Sequence, residues 1–229
     1  MKRLISVFAI FISANVSFGQ NSVVNLHFKP TFNDNELITG KKYFCTDSKD
    51  SISIDLLSFY ISGITFLQND KIVAEEKNSY HLINISDTTS LKICCKLSKA
   101  ISFDKIIFNL GIDSTTNVSG VMGGDLDPTK GMYWTWQSGY INLKLEGTDN
   151  YSNARDHEFQ FHLGGYMQPN YSMQKIETAV ENSSDLNFAI NTEVFFSGID
   201  LAKENHIMSP SIQAVFLSKK AAAMLQYIK

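Results

Sequence analysis

Apolar and polar residues alternate with a period of two along most of this chain, the spacing of strands that bury one face. In VVNLHFK, Val24, Leu26 and Phe28 point one way, and Asn25, His27 and Lys29 the other. SISIDL repeats the pattern with Ile52, Ile54 and Leu56. SFYISGITFLQNDKIVA follows, with Asn69 and Asp70 placed to turn between two strands. SYHLINI, LKICCKL, DKIIFNLGI, DLNFAI and TEVFFSGI predict further short strands, separated by clusters of Gly, Asn, Asp and Ser. INLKLE sets Ile141, Leu143 and Leu145 against Asn142, Lys144 and Glu146. HEFQFHLGG sets Phe159, Phe161 and Leu163 against Glu158, Gln160 and His162.

Three stretches break the alternation. Residues 113–130, DSTTNVSGVMGGDLDPTK, predict one long irregular loop, a feature that in a compact domain is usually functional or mobile. The end, SPSIQAVFLSKKAAAMLQYIK, predicts a helix capped by Ser209 with Pro210 in its first turn. Its apolar stripe is Ile212, Val215, Phe216, Met224 and Ile228. The beginning joins the basic MKR to the apolar LISVFAIFISANV and the small-residue exit SFG, the pattern of a cleaved secretory signal and too short for a membrane span. The expected fold class is all-β: an antiparallel β-sandwich with long loops and a C-terminal helix. The expected organisation is a signal peptide over residues 1–19 and a single domain over 20–229. Export to the periplasm, the cell surface or the medium follows, with no transmembrane segment.

Charge and composition narrow the chemistry. Twenty basic and 23 acidic side chains give a formal charge of −3, and removal of Lys2 and Arg3 with the signal takes it to −5. Neither nucleic acid nor an anionic membrane is an expected partner. Export permits a disulfide, and Cys45 can bridge Cys94 or Cys95, or all three thiols can stay reduced. HEFQFH alternates like a strand and is not HExxH, and GxSxG, P-loop, CxxC and CxxCH motifs are missing from the sequence. Asp125 and Asp127 in GGDLDP suit turn chemistry better than calcium. Nothing assembles a nucleophile, base and oxyanion hole, so the protein is read as a non-enzyme.

Both tryptophans, Trp134 and Trp136, lie in GMYWTWQSGYINLKLEG. Counted back from INLKLE as one continuous strand, they fall with Tyr140 on the polar face; a bulge at Gly139 would turn them into the core instead. His162 shares the polar face if the two strands form a hairpin. Pairing Leu145 with Phe159 sets Asn142 opposite His162, and other registers bring His162 to Ser138 or Trp136. His27 and His206 are further imidazoles that the fold could bring together, and two such groups suit copper or zinc.

GMYWTWQSGYINLKLEG followed by FQFHLGG resembles the MbnP-like family of exported bacterial copper-binding proteins. SFYISGITF, FNLGID and LDPTKGM resemble further segments of that family in the same order. The resemblance implies a mostly β, secreted or periplasmic domain that captures or hands on copper. It implies two histidines and a tryptophan oxidised to kynurenine at the metal, the oxidation being carried out by a dihaem cytochrome peroxidase partner. Carried onto this sequence, the metal-site candidates are His162, His206, Trp134 and Trp136. HLGG with Tyr166 stands where some relatives have HLGS and a cysteine, so their disulfide does not carry over. Two rival readings make distinct demands. A carbohydrate- or peptide-binding sandwich needs Trp134, Trp136, Tyr140 and Tyr133 as exposed coplanar rings. A structural domain that has lost the metal site needs both indoles in the core and scattered histidines.

Overall fold

A computed structural model describes residues 22–45 and 50–229. The signal segment expected over residues 1–19 lies outside the described residues. The first half of the chain is strands: β1 (Ser22–Phe32), β2 (Asn35–Glu36), β3 (Lys42–Cys45), β4 (Asp50–Gln68), β5 (Lys71–Glu75), β6 (Tyr80–Asn84), β7 (Lys92–Leu97) and β8 (Lys105–Leu110). A short helix α1 (Ser114–Val118) leads through two 3-10 turns to β9 (Tyr133–Trp134), β10 (Gly139–Asp149), β11 (Glu158–Gly164), β12 (Gln174–Ala179) and β13 (Asp185–Asn191). Helix α2 (Glu193–Phe196), β14 (His206–Ile207), helix α3 (Ile212–Ala223) and β15 (Leu225–Ile228) complete the described chain.

The molecule is mainly β, with 47% strand and 15% helix, but the strands form two mixed sheets rather than an antiparallel sandwich. One sheet has the order β15-β13-β1-β2, with β7 also on β1; the other, curled into a half-barrel, has the order β12-β8-β4-β10-β11-β14. The parallel pairs are β1 with β13 and β11 with β14. Both join segments far apart in sequence, which alternation within one segment cannot reveal.

SISIDL and SFYISGITFLQ form one 19-residue strand, β4. One edge of β4 carries β10 and then β8, and the other carries β3, β6 and β5. Where β8 ends and β10 begins, Asn142 fills the junction. Its Oδ1 accepts from the Ile112 N–H at 2.9 Å, and its Nδ2 donates to Ser172 Oγ at 2.9 Å. A Cβ on Gly111 (φ +110°) would lie 2.4 Å from Asn142 Cγ, so this junction requires glycine twice over, by backbone conformation and by contact.

Leu26, Phe28, Leu186 and Phe188 of the smaller sheet pack with Ile54, Phe108, Leu143, Leu145, Phe159 and Phe161 of the larger one in the main core. The buried residues of α3 are Ala214, Leu217, Ser218 and Ala221. The expected stripe is wrong in part, since Ile212 and Phe216 are exposed; the small residues are what let the helix approach the sheet. Its cap is Ser211, whose Oγ accepts from the Ala214 N–H at 3.0 Å, two residues later than expected. TEVFFSGI, expected as a strand, contains α2, whose Phe195 and Phe196 are buried.

Candidate functional site

The expected continuous strand from Tyr133 to Glu146 does not exist. Residues 135–138 form a turn, Ser138 takes a φ of +54°, and Trp134 pairs with Gly139. Counting faces back through this reversal therefore fails. The two indoles separate: Trp134 is 6% exposed and Trp136 64%, with ring centroids 6.0 Å apart and planes tilted by 50°.

Trp134 enters a second apolar cluster with Tyr60, Ile112, Leu126, Met132, Tyr140 and Ile141. A β-bulge builds that cluster. Ile141 pairs with Gly164 and Leu143 with Leu163, so Asn142 is the extra residue and Ile141 leaves the face it was expected to share with Leu143. The segment 113–130 covers the cluster as short helical turns, not as a structureless loop. The Tyr60 hydroxyl donates to the Asp125 carbonyl at 3.1 Å, and Asp125 Oδ2 accepts from the Leu82 N–H. Asn117 Oδ1 accepts from the Tyr140 N–H at 2.8 Å. Asp127 accepts from the Thr129 N–H at 2.8 Å, the turn role expected of GGDLDP.

On β11, Phe159, Phe161 and Leu163 face the main core, while Gln160, His162 and Gly164 face outward. Trp134 lies across that outward face. A Cβ built on Gly164 would be 2.6 Å from its Cζ3 and 2.9 Å from its Cη2. The polar face therefore becomes progressively buried toward Gly164, with Glu158 exposed, Gln160 intermediate and His162 buried. The observed register sets Lys144 opposite His162 and Leu145 opposite Phe161, which corrects the expected pairing of Asn142 with His162.

His162 Nε2 lies 2.6 Å from Glu146 Oε1. Burial lowers the histidine's pKa; the Glu146 hydrogen bond opposes the shift, and the charges of Lys144 and His206 add to it. Burial likewise holds the Lys144 ammonium below its usual range. His206 is exposed and stands beside Gln160 through the parallel pairing of β14 with β11. His162 and His206 thus occupy adjacent strands of one face.

The other histidines are engaged elsewhere. His27 pairs with Asp185 on the smaller sheet at 2.9 Å, His81 with Glu76 at 2.7 Å, and His157 Nδ1 lies 3.0 Å from the Ser152 carbonyl. Among the described residues, no cluster of three or more His, Cys, Asp or Glu side chains is arranged to hold a metal ion. His162 and His206 are two imidazoles on neighbouring strands of one face, and imidazole is a donor that suits copper. Alternation puts Glu146 on the polar face, but its contact with His162 follows only from the β10–β11 register.

No disulfide forms among the described cysteines: Cys94 is exposed, and Cys45 and Cys95 are buried. Burial and the neighbouring Glu76 carboxylate push the Cys95 thiol far up. The aromatic-platform geometry is not met, because Trp134 and Tyr140 are buried and the indoles are tilted. Among the described residues no helix is long and apolar enough to cross a membrane.

A model of the MbnP family matches residues 21–209. The structure is similar to that of MbnP from Methylosinus trichosporium, with a TM-score of 0.59 and 12% identity over 86% of this chain and 88% of that one. At that identity the likeness shows the fold alone. A search of curated proteins found no match.

Proposed function

From its membership of the MbnP family, to which this chain belongs, we propose that the protein is exported and non-catalytic and captures or hands on copper. Residues 20–229 are the mature unit, and the family match beginning at residue 21 agrees with cleavage just before it. His162 and His206 are the imidazole donors, with Trp134 the indole beside them. One arrangement carries this reading: His162 and His206 lie on neighbouring strands of one face, and Trp134 covers Gly164 two residues along it.

Two neutral imidazoles with a weak further donor suit Cu(I), which tolerates low coordination. Copper, when bound, would supply a redox-active centre beside an oxidisable ring. Trp134 has the position for a ring at the metal, while Trp136 has the exposure that an external oxidant such as a dihaem peroxidase requires. Peptide mass mapping after co-production with such a partner reads which ring is converted to kynurenine.

Titration of the mature protein with copper should show one tight equivalent that His162→Ala abolishes. Unchanged binding in that variant rejects the assigned donor. The rival reading, a scaffold that has lost its metal, draws on Lys144 standing opposite His162 and on the lack of a three-residue donor cluster among the described residues. No binding by the wild type would favour it.

A further inference from the structure

We propose that the outer edge of β7 is a docking site for an extended peptide segment, which adds as a further strand and carries carboxylates opposite Lys92 and Lys96. The site lies on the smaller sheet, apart from the histidine face, and does not rest on the copper reading.

Hydrogen bonding fixes which groups point outward. Among the described residues β7 pairs only with β1. The Phe28 N–H donates across to the Leu91 carbonyl at 2.8 Å, whereas the Asn25 N–H turns the other way, to the Ser184 carbonyl at 2.7 Å. The even-numbered amides of β1 therefore face β7, where Leu26 stands opposite Ile93 and Val24 opposite Cys95. In an antiparallel ladder, residues that exchange hydrogen bonds alternate with residues that do not. The N–H and C=O groups of Lys92, Cys94 and Lys96 thus point away from β1, and among the described residues none of them has a partner. Such a row is a template for another strand. β6, across the gap, is treated differently. Its outward N–H groups are covered: Leu82 by Asp125 Oδ2 at 3.1 Å, Asn84 by Ser90 Oγ at 2.9 Å and Tyr80 by the Asn78 carbonyl at 3.0 Å. The fold blunts one edge and leaves the other open.

There is room along the open edge. A cleft of about 530 Å³ lies between Lys92 and Ile93 on one side and His81 and Leu82 of β6 on the other. A second, of about 540 Å³, continues past Cys94 and Lys96 beside Glu76 and Lys77.

Charge selects the occupant. Lys92, Cys94 and Lys96 are exposed on one face, and their β1 neighbours are His27, Asn25 and Val23, so no carboxylate of β1 answers the two ammonium groups. Glu76 is already engaged, by Ser79 Oγ at 2.6 Å and His81 Nε2 at 2.7 Å. A second copy is the wrong occupant. Symmetric antiparallel pairing centred on Cys94 would set each Lys92 against the other copy's Lys96, and like charges directly opposite destabilise a strand pair. Carboxylates at those two positions turn both contacts into opposite-charge pairs.

The test uses the mature protein labelled with nitrogen-15. The probe is the acetylated and amidated peptide Thr-Val-Glu-Val-Ser-Val-Glu-Val-Thr, whose glutamates fall opposite Lys92 and Lys96 when its serine faces Cys94. Binding should saturate and should slow amide exchange at Lys92, Cys94 and Lys96, while Ile93 and Cys95, already bonded to β1, change little. Replacing both glutamates by lysine should weaken binding about tenfold or more. The paired substitution Lys92→Glu and Lys96→Glu should reverse the preference between the two peptides, with its fold read from the same spectra. A failure to saturate at millimolar peptide, protection elsewhere in the chain, or equal binding of the two peptides overturns the proposal. Protection of the same three amides without peptide, growing with protein concentration, would identify a second copy as the occupant and overturn the peptide assignment.

Discussion

Gly164→Ala probes whether the Trp134 indole is held against the histidine face. The added Cβ would sit 2.6 Å from Trp134 Cζ3, 2.9 Å from Cη2 and 2.9 Å from the Tyr140 carbonyl oxygen. Reaching an ordinary contact of 3.4 Å requires the indole to move by about 0.8 Å, beyond what a packed ring yields without displacing neighbours. The carbonyl cannot rotate away freely, because Tyr140 pairs with Tyr133 and belongs to the strand that pairs with Gly164 through Ile141. Overpacking of this kind costs about 1–3 kcal/mol. For a chain of this size that is a fall in Tm of roughly 2–12 °C.

The measurement is best made in a Trp136→Phe background, where Trp134 is the only indole left of the two in the chain. Its emission should be blue in the parent and shift red on Gly164→Ala, with a lower urea midpoint. If the substitution changes stability by less than about 0.5 kcal/mol, within the range of ordinary surface changes, and leaves the emission unmoved, the indole does not cover Gly164. The geometric basis of the site then fails.

Asn142→Ala should cost about 1–3 kcal/mol in urea unfolding, because the buried Ile112 N–H loses its acceptor; an effect below half of that would show that water or a shifted backbone replaces it. Stability should also depend on pH through His162. Its pKa is lowered in the folded state, so the unfolded chain binds the extra proton between that depressed value and about 6.5. The contribution is full above about 6.5 and declines as pH falls through the window. Wild type minus His162→Gln, measured by urea unfolding across this range, should show the slope, and parallel profiles would contradict it. Cys94 should react with a thiol reagent in the native protein and Cys95 only after unfolding; native labelling of Cys95 would contradict its burial.

Alternation located the strands well because each buries one face against a common core, as at Val24, Leu26 and Phe28 or Phe159, Phe161 and Leu163. It failed where the backbone changes its own periodicity. The turn at residues 135–138 has no Asn-Gly or Asp-Gly signature, and its left-handed position falls on Ser138, so WTWQSGYINLKLE reads as one strand. Glycine in a strand points to a bulge at Gly139, yet the extra residue is Asn142, which is held there by groups from Ile112 and Ser172. Such tertiary partners leave no local mark. His162 and His206 were both legible as imidazoles, but their proximity depends on a two-residue parallel pairing of β11 with β14. The family resemblance, not spacing, is what singles them out as candidates.

A histidine on the outer face of a curled sheet would ordinarily be a solvated side chain. Three local departures from regularity make His162 different. The reversal after Trp134 brings the indole back over β11, the bulge at Asn142 turns Ile141 outward to support it, and Gly164 leaves room for the ring. Together they build a small apolar roof on a polar face, and burial there pushes the His162 pKa down while Glu146 stays in hydrogen-bond contact with it. None of the three contributes to the main core between the sheets. Changes at the site should therefore separate from changes in the scaffold: His162→Ala should remove copper binding with little loss of the folded state, whereas Phe161→Ala, in the main core one residue away, should cost about 3–5 kcal/mol. Equal destabilisation by the two would mean that the histidine belongs to the packing of the sheet, and the functional reading of this face would lose its physical basis.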